Sequence, residues 1–455
     1  MKVIIVGLGQ TGCALVRELA GTGYDVVVID KEKKLVDEIT DKYSVNGIVG
    51  SGAAAETLNR AGADVADALV ALTNVDEINL LSCMQGKKMG VRRCAARLVL
   101  PDLVAEADSL MKEYGIDYLV RPKADMAQEI YRNVGLPGFV KLEGYFGNSV
   151  QMLDVALLPD SPLAGQTLMS VRQNDGPGML ICTVLRDGRL HVPDGPFRLE
   201  AGDEISVMAD KDDMAAVLEK LGVGHVRSKK IVIVGGGISA EYLIRAMQED
   251  KKDVTVLESS LDRCRTLMSL FPSVNVVYAE EDVTEVLEEE HVDRADAVIS
   301  LTDHDETNLV ISMYAWSKNI PSIITRVDKP LHVRLLHQVN MDITVSITEL
   351  AVFKMIRFIR NYEVGDAENE VTRFYYLADG KAEVMEFTAR EGFDGMNVRF
   401  ADAGFRLKKD ILIAGIIRED KLIIPSGDSA IRPGDRVIVV ASKKHKIRRM
   451  NDIFA

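Results

Sequence analysis

Cysteine, aromatic residues and long apolar runs are all scarce in this chain. Its five cysteines are odd in number, widely spaced and contain no CxxC pair, which argues against a disulfide framework or a thiolate metal site, and we expect them to be buried as small apolar residues. No apolar run approaches the ~18 residues that a membrane-spanning helix needs. No signal peptide precedes the first predicted strand, so we expect a cytosolic protein.

Positive charge is also in short supply. The chain has 55 Lys and Arg against 69 Asp and Glu, and its formal net charge of −14 argues against a general affinity for nucleic acid or anionic lipid. The one basic cluster, residues 443–449, is predicted on the last helix, either as a solvated face that complements the helix dipole or as a docking surface. Its length of 455 residues and its 47% apolar content fit a soluble protein of two to four domains.

The chain opens with a predicted strand, a glycine turn, a helix and a second strand. The apolar residues 3–6 lead into Gly7-x-Gly9-x-x-Gly12, and the second strand ends at Asp30. In such a unit the glycines permit the tight turn, the approach of a pyrophosphate and close helix packing, while the helix N-terminus attracts phosphate. The carboxylate of Asp30, at the expected distance from the glycines, is placed to accept hydrogen bonds from ribose hydroxyls and would repel a 2′-phosphate. The alternative is a glycine turn that only packs a helix on a sheet.

Further polar residues follow later strands of the same predicted sheet. The carboxyl ends of parallel strands share one edge, where ligands of open α/β sheets bind. We therefore expect these residues on the same rim as the glycine turn: Gly50, Ser51, Thr73, Asn74 and Arg97. Arg97 either reaches a phosphate on that rim or pairs with a neighbouring acid.

The second half of the chain repeats the first in register. Gly237 and Glu258 follow Gly9 and Asp30 at one and the same interval, and further matches later in the domain hold an almost identical interval. This repetition predicts a second Rossmann-like domain. The second-copy residues that match the glycine turn, the acidic strand end and the rim are Gly235, Gly237, Ser239, Glu258, Thr302 and Arg326.

A smaller, mainly β module follows each Rossmann-like domain. In the first copy, strands are predicted over 149–158, 179–192 and 204–208, and a helix over 212–221 closes the sheet. Because the module contains no nucleophile-and-base pair and no ligand cluster, we interpret it as a recognition or dimerisation domain. Arg186 and Asp203 recur as Arg418 and Asp435, so the duplication includes this module.

Two predicted linker helices, over 126–134 and 348–360, have apolar faces broader than one domain needs. We expect them to join the lobes of the chain, or its subunits, across a hinge. The apolar residues of the second linker helix that suggest this role are Ala351, Phe353, Met355, Ile356 and Ile359.

The predicted fold class is α/β, with two tandem Rossmann-like doubly wound parallel sheets, each followed by a small β-rich α+β domain. The expected domains are residues 1–138, 139–226, 227–368 and 369–455.

This arrangement resembles the TrkA family, the cytosolic regulatory proteins of bacterial Trk potassium uptake systems, which are built from RCK domains. The resemblance covers essentially the whole chain. It rests on two copies of the glycine turn, the acidic strand end and a Leu-Thr-x-x-Asp-Glu-x-Asn type of loop, and on the sequence of residues 161–165 that opens the small domain.

The resemblance implies a regulatory function without catalytic or metal-binding residues. It implies a ring, a homotetramer with eight Rossmann domains, peripheral on the inner face of the cell membrane beneath a potassium-conducting membrane subunit. It also implies that ATP, ADP or NAD(H) in the Rossmann pockets sets the shape of the ring. The first pocket would be lined by Gly7, Gly9, Gln10, Thr11, Gly12, Asp30, Ser51, Thr73, Asn74 and Arg97. The second would be lined by Gly235, Gly237, Ser239, Glu258, Thr302 and Arg326.

The second copy departs from the pattern at one rim. The second copy has Ala279-Glu280-Glu281-Asp282, three acids and no glycine, where the first copy has Gly50-Ser51-Gly52. Because like charges near a phosphate cost on the order of 1 kcal/mol per pair even in a wet site, we expect the second pocket to bind nucleotide more weakly, or to bind only an adenosine end.

Other functions remain open at this point. Tyr314 and Lys318 have the YxxxK spacing of short-chain dehydrogenases, but Tyr314 follows Gly235 too closely for that architecture, and we expect it and Trp316 to be core residues. The acidic and imidazole groups of residues 303–306 suggest a cation site, although acids at a helix N-terminus more simply complement its dipole. A ring of this kind could also regulate a different ion transporter.

Overall fold

A computed structural model of the chain describes residues 1–137, 140–145, 150–175, 178–223, 228–279, 283–337, 343–363, 371–378, 380–445 and 447–455. The described strands form two six-stranded parallel sheets and two five-stranded antiparallel sheets. One sheet of each kind lies in each half of the chain, as predicted.

The first parallel sheet has the doubly wound strand order β3-β2-β1-β4-β5-β6. Its strands are β1 (Lys2–Val6), β2 (Asp25–Asp30), β3 (Asn46–Val49), β4 (Ala68–Ala71), β5 (Arg93–Arg97) and β6 (Tyr118–Val120). Its helices are α1 (Gln10–Leu19), α2 (Lys33–Lys42), α3 (Ala55–Arg60), α4 (Asp76–Met89), α5 (Pro101–Ala105) and α6 (Ala107–Tyr114). The first linker helix, α7 (Pro122–Asn133), follows β6.

The central strands of this sheet are uninterrupted apolar runs because helices cover both faces. Every residue of β4 is buried, and so are the last four residues of β1. Since β1 and β4 are adjacent and the chain leaves them toward opposite sides of the sheet, their carboxyl ends border the crevice at which the strand order reverses.

The first antiparallel sheet has the order β10-β9-β11-β8-β7. Its strands are β7 (Val140–Tyr145), β8 (Val150–Ala156), β9 (Met179–Arg186), β10 (Arg189–His191) and β11 (Glu204–Asp210). Two helices accompany it, α8 (Leu168–Asp175) and α9 (Met214–Lys220), and α9 is the predicted closing helix.

The second half repeats this plan with a parallel sheet of order β14-β13-β12-β15-β16-β17. Its strands are β12 (Lys230–Val234), β13 (Asp253–Glu258), β14 (Asn275–Tyr278), β15 (Ala297–Ser300), β16 (Ser322–Arg326) and β17 (Thr344–Val345). Its helices are α10 (Ile238–Met247), α11 (Leu261–Leu270), α12 (Val283–Glu289), α13 (Asp305–Ser317) and α14 (Pro330–His337), and the second linker helix is α15 (Ile347–Glu363).

The second antiparallel sheet has the order β18-β19-β22-β20-β21. Its strands are β18 (Val371–Leu377), β19 (Ala382–Thr388), β20 (Ile411–Arg418), β21 (Lys421–Ile423) and β22 (Arg436–Ser442). Buried residues of the two antiparallel sheets share one core, in which Met152 and Met208 of the first module pack with Val384 and Val440 of the second.

The linker helices join the two halves, as predicted. Helix α7 packs on α10 of the second half, with Ile130 and Leu243 in one buried core. Helix α15 packs on α1 of the first half, with Met355 and Leu15 in another. Each half therefore places its linker helix on the helix that follows the glycine turn of the other half.

Two sequence-based expectations about side chains or elements are wrong. The basic cluster does not lie on a helix, because its described residues form a turn and an irregular segment before the short 3-10 helix Met450–Ile453. Trp316 is 54% exposed rather than part of the core. Of the five apolar residues named in the second linker helix, four are buried in the core shared with α1, and Phe353 is 40% exposed with its ring 5.6 Å from that of Tyr376.

Four of the five cysteines are buried, and Cys13 is half-buried. Within the described residues, no helix combines the length and the apolar character needed to span a membrane.

Candidate functional site

The first glycine turn leaves open space at the N-terminus of α1. Gly7 has a φ of +96°, and a Cβ there would lie 2.8 Å from the Thr73 amide nitrogen, so only glycine fits without strain. Gly9, the N-cap residue of α1, is exposed, and a Cβ on it would meet no protein atom within 4 Å. The helix N-terminus, which has no side-chain cap, therefore faces a space that an anion can enter.

The carboxylate of Asp30 is fixed at the end of β2 by two backbone amides. Leu8 of the glycine turn donates to Oδ2 at 2.6 Å, and Glu32 donates to Oδ1 at 2.9 Å. An ionised carboxylate can accept about four hydrogen bonds, so Asp30 retains capacity for the two hydroxyls of a ribose. The same contacts tie the glycine turn to the strand that carries the acid.

The loop after β4 is held by a buried asparagine. Asn79 is fully buried, accepts hydrogen bonds from the Thr73 amide at 2.8 Å and from the Thr73 hydroxyl at 2.7 Å, and donates to the carbonyl of Arg97 at 3.0 Å. One side chain thus joins the ends of β4 and β5. This keeps Thr73, Asn74 and Arg97 together at the rim.

Arg97 has polar partners but no carboxylate. Its Nη1 donates to the Asn74 side chain at 3.0 Å and to the Thr73 carbonyl at 3.4 Å, and its buried Nε has no hydrogen-bond partner among the described residues. Burial lowers the pKa of the guanidinium. Within the described part of the chain no acid lies within the 4 Å of an ion pair, so the charge of Arg97 is available to a ligand.

The remaining first-copy candidates lie around the same opening. Gln10 is exposed on the first turn of α1, whereas Thr11 and Gly12 are buried in that turn. Ser51 follows β3, and the Gly50 amide donates to the Asp30 carbonyl at 2.8 Å. The carboxyl edge of the sheet thus brings all ten predicted residues of the first pocket to one side of the domain.

The second glycine turn reproduces this geometry. Gly235 has a φ of +101°, and a Cβ on Gly237 would again meet nothing within 4 Å. Glu258 accepts hydrogen bonds from the amides of Gly236 at 2.6 Å and Ser260 at 2.7 Å. Ser239 is buried in the first turn of α10, as Thr11 is in α1.

The rim arginine of the second copy, however, is neutralised. Arg326 pairs with Asp303 at 2.6 Å and lies 3.7 Å from Asp328. The hydrogen bond from Arg326 lowers the pKa of Asp303, so this acid stays ionised beside it. These acids stand where the first copy has Asn74 and Val99, which carry no charge. Asn308 holds Thr302 as Asn79 holds Thr73, with a hydrogen bond of 2.7 Å.

An additional arginine lies under the second glycine turn. Arg263 of α11 donates to the Gly236 carbonyl at 2.6 Å and pairs with Glu241 of α10 at 2.9 Å. Glu241 also pairs with Arg245 at 3.0 Å, so this acid is held between two arginines.

The acids at 280–282, which we expected to weaken phosphate binding at the second rim, lie outside the described residues.

Sequence reasoning missed Asn79, Arg263 and Glu241. A signal for Asn79 existed, since it recurs as Asn308 in the repeated loop, but its role as a bridge between strands needs the fold. Arg263 and Glu241 have no charged counterparts in the first copy, so repetition could not reveal them.

The residues that suggested catalysis or a cation site do not form such a site. Tyr314 lies about 13 Å along α13 from the rim, and burial, together with Glu288 and Asp293, raises its pKa, the opposite of what a proton-transfer tyrosine needs. In the 303–306 loop, Asp305 accepts from the Lys329 amide at 2.9 Å and Glu306 pairs with the Lys329 ammonium at 2.6 Å. Among the described residues, no group of three ligand side chains could hold a metal ion.

Comparisons with known proteins agree with this architecture. The family model of the TrkA-N domain matches residues 3–122 and 231–347, more than half of the chain, and that of the TrkA-C domain matches residues 152–222 and 388–455. The chain is 28% identical to a Trk system potassium uptake protein TrkA homolog of Archaeoglobus fulgidus, with 100% of both chains covered. It is 27% identical to a Trk system potassium uptake protein TrkA of Halomonas elongata, with 100% of this chain and 98% of that one covered.

Solved structures share the fold. The RCK domain of GsuK superposes with a TM-score of 0.64 at 17% identity, covering 97% of this chain and 92% of that chain. The GsuK channel bound to NAD gives the same TM-score and identity and covers 97% of this chain and 77% of the channel.

Proposed function

This chain belongs to the TrkA family of proteins that combine TrkA-N and TrkA-C domains, and we propose that it is a nucleotide-sensing regulatory subunit of a Trk-type potassium transporter. In this proposal the ligand acts mechanically. It shifts the equilibrium between shapes of an oligomeric ring by the difference in its affinity for those shapes, and tenfold discrimination at one site is worth about 1.4 kcal/mol. Several sites in one ring would add such terms.

The observation that carries the nucleotide proposal is the geometry around Asp30. A carboxylate held by the glycine-turn amide, an exposed Gly9 with free space above it and an arginine without an acidic partner among the described residues lie along one edge. They suit a ribose, a first phosphate and a further phosphate, respectively. NAD(H), ATP and ADP all contain these groups, and we propose them as the regulatory ligands. The GsuK channel, which shares the fold, has been seen with NAD and with ADP.

We propose that the first pocket binds more tightly than the second. Within the described residues Arg97 has no acidic partner, whereas Arg326 already forms ion pairs with Asp303 and Asp328. A phosphate at the second rim would have to displace an ion pair or approach two carboxylates, which costs on the order of 1 kcal/mol per like-charge pair in a wet site.

The assembly and the cellular place are part of the same proposal. We propose a homotetramer on the inner face of the membrane, in contact with the potassium-conducting subunit and without binding nucleic acid. The names of the relatives, Trk system potassium uptake proteins, support this partner. We also propose that the domains end at residues 138, 226 and 368. Each of the four family matches lies wholly within one of the four segments that these limits define.

A regulator of a different ion transporter is the second candidate, since the nucleotide pocket would serve either partner equally. An oxidoreductase is disfavoured by the position and raised pKa of Tyr314. Potassium flux through vesicles that hold the Trk-type membrane subunit, with and without this protein and nucleotide, separates the two regulatory functions.

The test of the pocket is calorimetric titration of the full chain with ATP, ADP, NAD+ and NADH. We expect Asp30→Ala to abolish the tighter binding, because a ribose would lose its acceptor, and Glu258→Ala to affect only a weaker site. The matched control is Asp25→Ala at the exposed start of the same strand, which should bind as the unaltered chain does.

Absorbance of NADH is followed in the same samples with added carbonyl compounds. Consumption of NADH would contradict a purely regulatory function. Binding that ignores both Asp30→Ala and Glu258→Ala, or two equal sites per chain, would contradict the site assignment.

A further inference from the structure

The fold brings two basic segments of the second small domain side by side. The Leu407–Phe454 bridge places the segment 406–410 beside the residues that follow the basic cluster. His445 Nε2 lies 2.9 Å from the Lys409 carbonyl oxygen, which places the same segment beside the basic cluster itself. Six exposed cations of the two segments form what we call the basic surface: Arg406, Lys408, Lys409, Lys444, Arg448 and Arg449.

The two acids within these segments are half-buried and already bound. Asp410 pairs with Lys444. Asp452 accepts hydrogen bonds from the backbone amides of Arg448 at 2.9 Å and Arg449 at 2.8 Å. These acids therefore hold the segments together from within, whereas the cations are exposed to solvent.

The neighbouring elements bring charges of both signs. Asn451 bonds to the segment 390–394, with 3.0 Å to the Asp394 amide. The charged groups of the neighbours are Arg390, Glu391, Asp394, the Arg399–Asp402 pair and the Lys443–Glu18 pair. With these counted, nine cations face six acids. A carboxylate at residue 455 would still leave a positive surplus.

Three cations of the basic surface have no ion pair within 4 Å among the described residues: Arg406, Lys409 and Arg448. Salt screens exposed charges beyond a Debye length of about 8 Å at physiological ionic strength. A partner that touches this surface therefore responds to the local positive surplus more than to the net charge of −14. The net charge still argues against binding through the other faces of the chain.

The composition of the basic surface suits lipid headgroups better than a protein or a nucleic acid. Protein interfaces are depleted in lysine and have an apolar or aromatic core, and single-stranded nucleic acid stacks on exposed aromatic rings. Among the described residues after Phe353, no large apolar or aromatic side chain is exposed. Clusters of roughly four to eight lysines and arginines bind anionic headgroups without such a core.

We propose that the basic surface contacts the anionic lipid headgroups of the membrane. This inference rests on the proposed place of the chain on the inner face of the membrane and makes it more specific, because it states which face of the chain meets the lipid. The contact is electrostatic and reversible. It neutralises headgroup charge without inserting apolar side chains, and it orients the second small domain toward the membrane.

The test is co-sedimentation of the full chain with vesicles of phosphatidylcholine alone and of equimolar phosphatidylcholine and phosphatidylglycerol. We expect binding to the anionic vesicles only, and weaker binding as salt is added. The double variant Lys409→Gln/Arg448→Gln removes two exposed cations that have no ion pair among the described residues. It should lower the partition onto anionic vesicles more than tenfold, since each cation near such a surface contributes about fivefold.

The matched control is Lys88→Gln/Lys112→Gln, at exposed lysines of α4 and α6, which changes the net charge by the same amount. It should bind as the unaltered chain does, and the thermal unfolding midpoint of each variant shows that it is folded. The inference is overturned if the unaltered chain does not bind the anionic vesicles, if it binds phosphatidylcholine equally well, or if both double variants lose binding to the same extent.

Phosphatidylcholine vesicles that hold the potassium-conducting subunit distinguish a protein partner from lipid. If the chain bound these but not the anionic vesicles, and Lys409→Gln/Arg448→Gln lost that binding, the basic surface would dock on protein and the lipid inference would be wrong. Nucleotide titration of the same variant should match that of the unaltered chain. Failed vesicle binding with intact, Asp30-dependent nucleotide binding would therefore overturn this inference alone and leave the proposed nucleotide sensing in place.

Discussion

At the scale of single residues, the two pockets differ by a few charges on one common backbone. Asp30 and Glu258 accept the same pair of amides, and Asn79 and Asn308 make the same bridge between strands. The rim arginines differ because Asp303 faces Arg326 where Asn74 faces Arg97. The backbone conformation is thus shared, while the electrostatic preference for phosphate is set locally.

The two glycines of the first turn should respond differently to an added methyl group. We expect Gly7→Ala to lower the free energy of unfolding by more than about 2 kcal/mol, because alanine would be strained at a φ of +96° and its Cβ would meet the Thr73 backbone. Gly9→Ala should change it by about 1 kcal/mol or less, since the φ of −69° suits any residue and no protein atom is near. Denaturant unfolding of both variants measures this difference.

Although Gly9→Ala should have little effect on stability, we expect it to weaken nucleotide binding strongly. A methyl group there enters the space in which a phosphate would approach the amides, so we expect affinity to fall about tenfold or more. If Gly9→Ala bound ATP and NADH as tightly as the unaltered chain, the ligand would not lie over this turn.

At the scale of elements, the small domains depend on an arginine–carboxylate clamp across a turn. Arg418 at the end of β20 makes two hydrogen bonds to Asp435, at 2.8 and 2.7 Å, and the buried carboxylate also accepts from the Arg432 amide at 2.7 Å. Arg186 and Asp203 repeat the clamp in the first copy at 2.7 and 2.8 Å. The clamp fixes the turn before the strand at the centre of each sheet, which explains why its residues recur.

We expect Asp435→Asn to lower the free energy of unfolding by about 3 kcal/mol at pH 7, because it leaves a partly buried arginine without its counter-ion. Burial alone would raise the pKa of Asp435, but the hydrogen bonds from Arg418 and the Arg432 amide lower it overall. A lowered folded-state pKa stabilises the fold above the unfolded value of about 3.9, and this stabilisation is lost as pH falls through the folded value.

The difference between Asp435→Asn and the unaltered chain should therefore shrink below about pH 4. Urea unfolding from pH 7 to pH 3 measures it. The control is Asp402→Asn, in an exposed pair with Arg399 at 3.0 Å, which should cost about 1 kcal/mol or less at every pH. A cost for Asp435→Asn that is equally small, or constant with pH, would show that the clamp contributes little.

At the scale of the whole molecule, the cores cross the boundary between the halves. One core combines α7 and the first antiparallel sheet with the second parallel sheet, and another combines the first parallel sheet with α15. The two antiparallel sheets share a third. Neither half buries its linker helix alone, so the packing of each linker helix depends on the other half.

We expect calorimetric unfolding of the full chain to show one cooperative transition although the sequence contains four domains, because the shared cores must open together. Ile359→Ala, at a fully buried position of α15 against α1, should move the entire transition and cost about 2–5 kcal/mol. The exposed Phe353 gives the control variant, Phe353→Ala, with a smaller shift. Two resolved transitions, only one of which moves in Ile359→Ala, would show that the halves unfold separately.

The sequence by itself determined the local units of this protein. Apolar runs bounded by glycine, an acid at a set distance and a register held from one half of the chain to the other identify two Rossmann-like domains, because strand, turn and helix preferences act over short stretches. The same short-range patterns placed Gly9 and Asp30 on the carboxyl edge of the first parallel sheet, and Gly237 and Glu258 on that of the second.

Only the tertiary structure decided how the halves exchange their linker helices and which charges meet. No local pattern shows that α7 packs on α10, that Asp303 pairs with Arg326, or that Trp316 faces outward, since each depends on contacts between residues distant in the chain. Helical periodicity reveals an apolar face but not the surface it covers, and charge neutralisation depends on distances that sequence spacing does not contain.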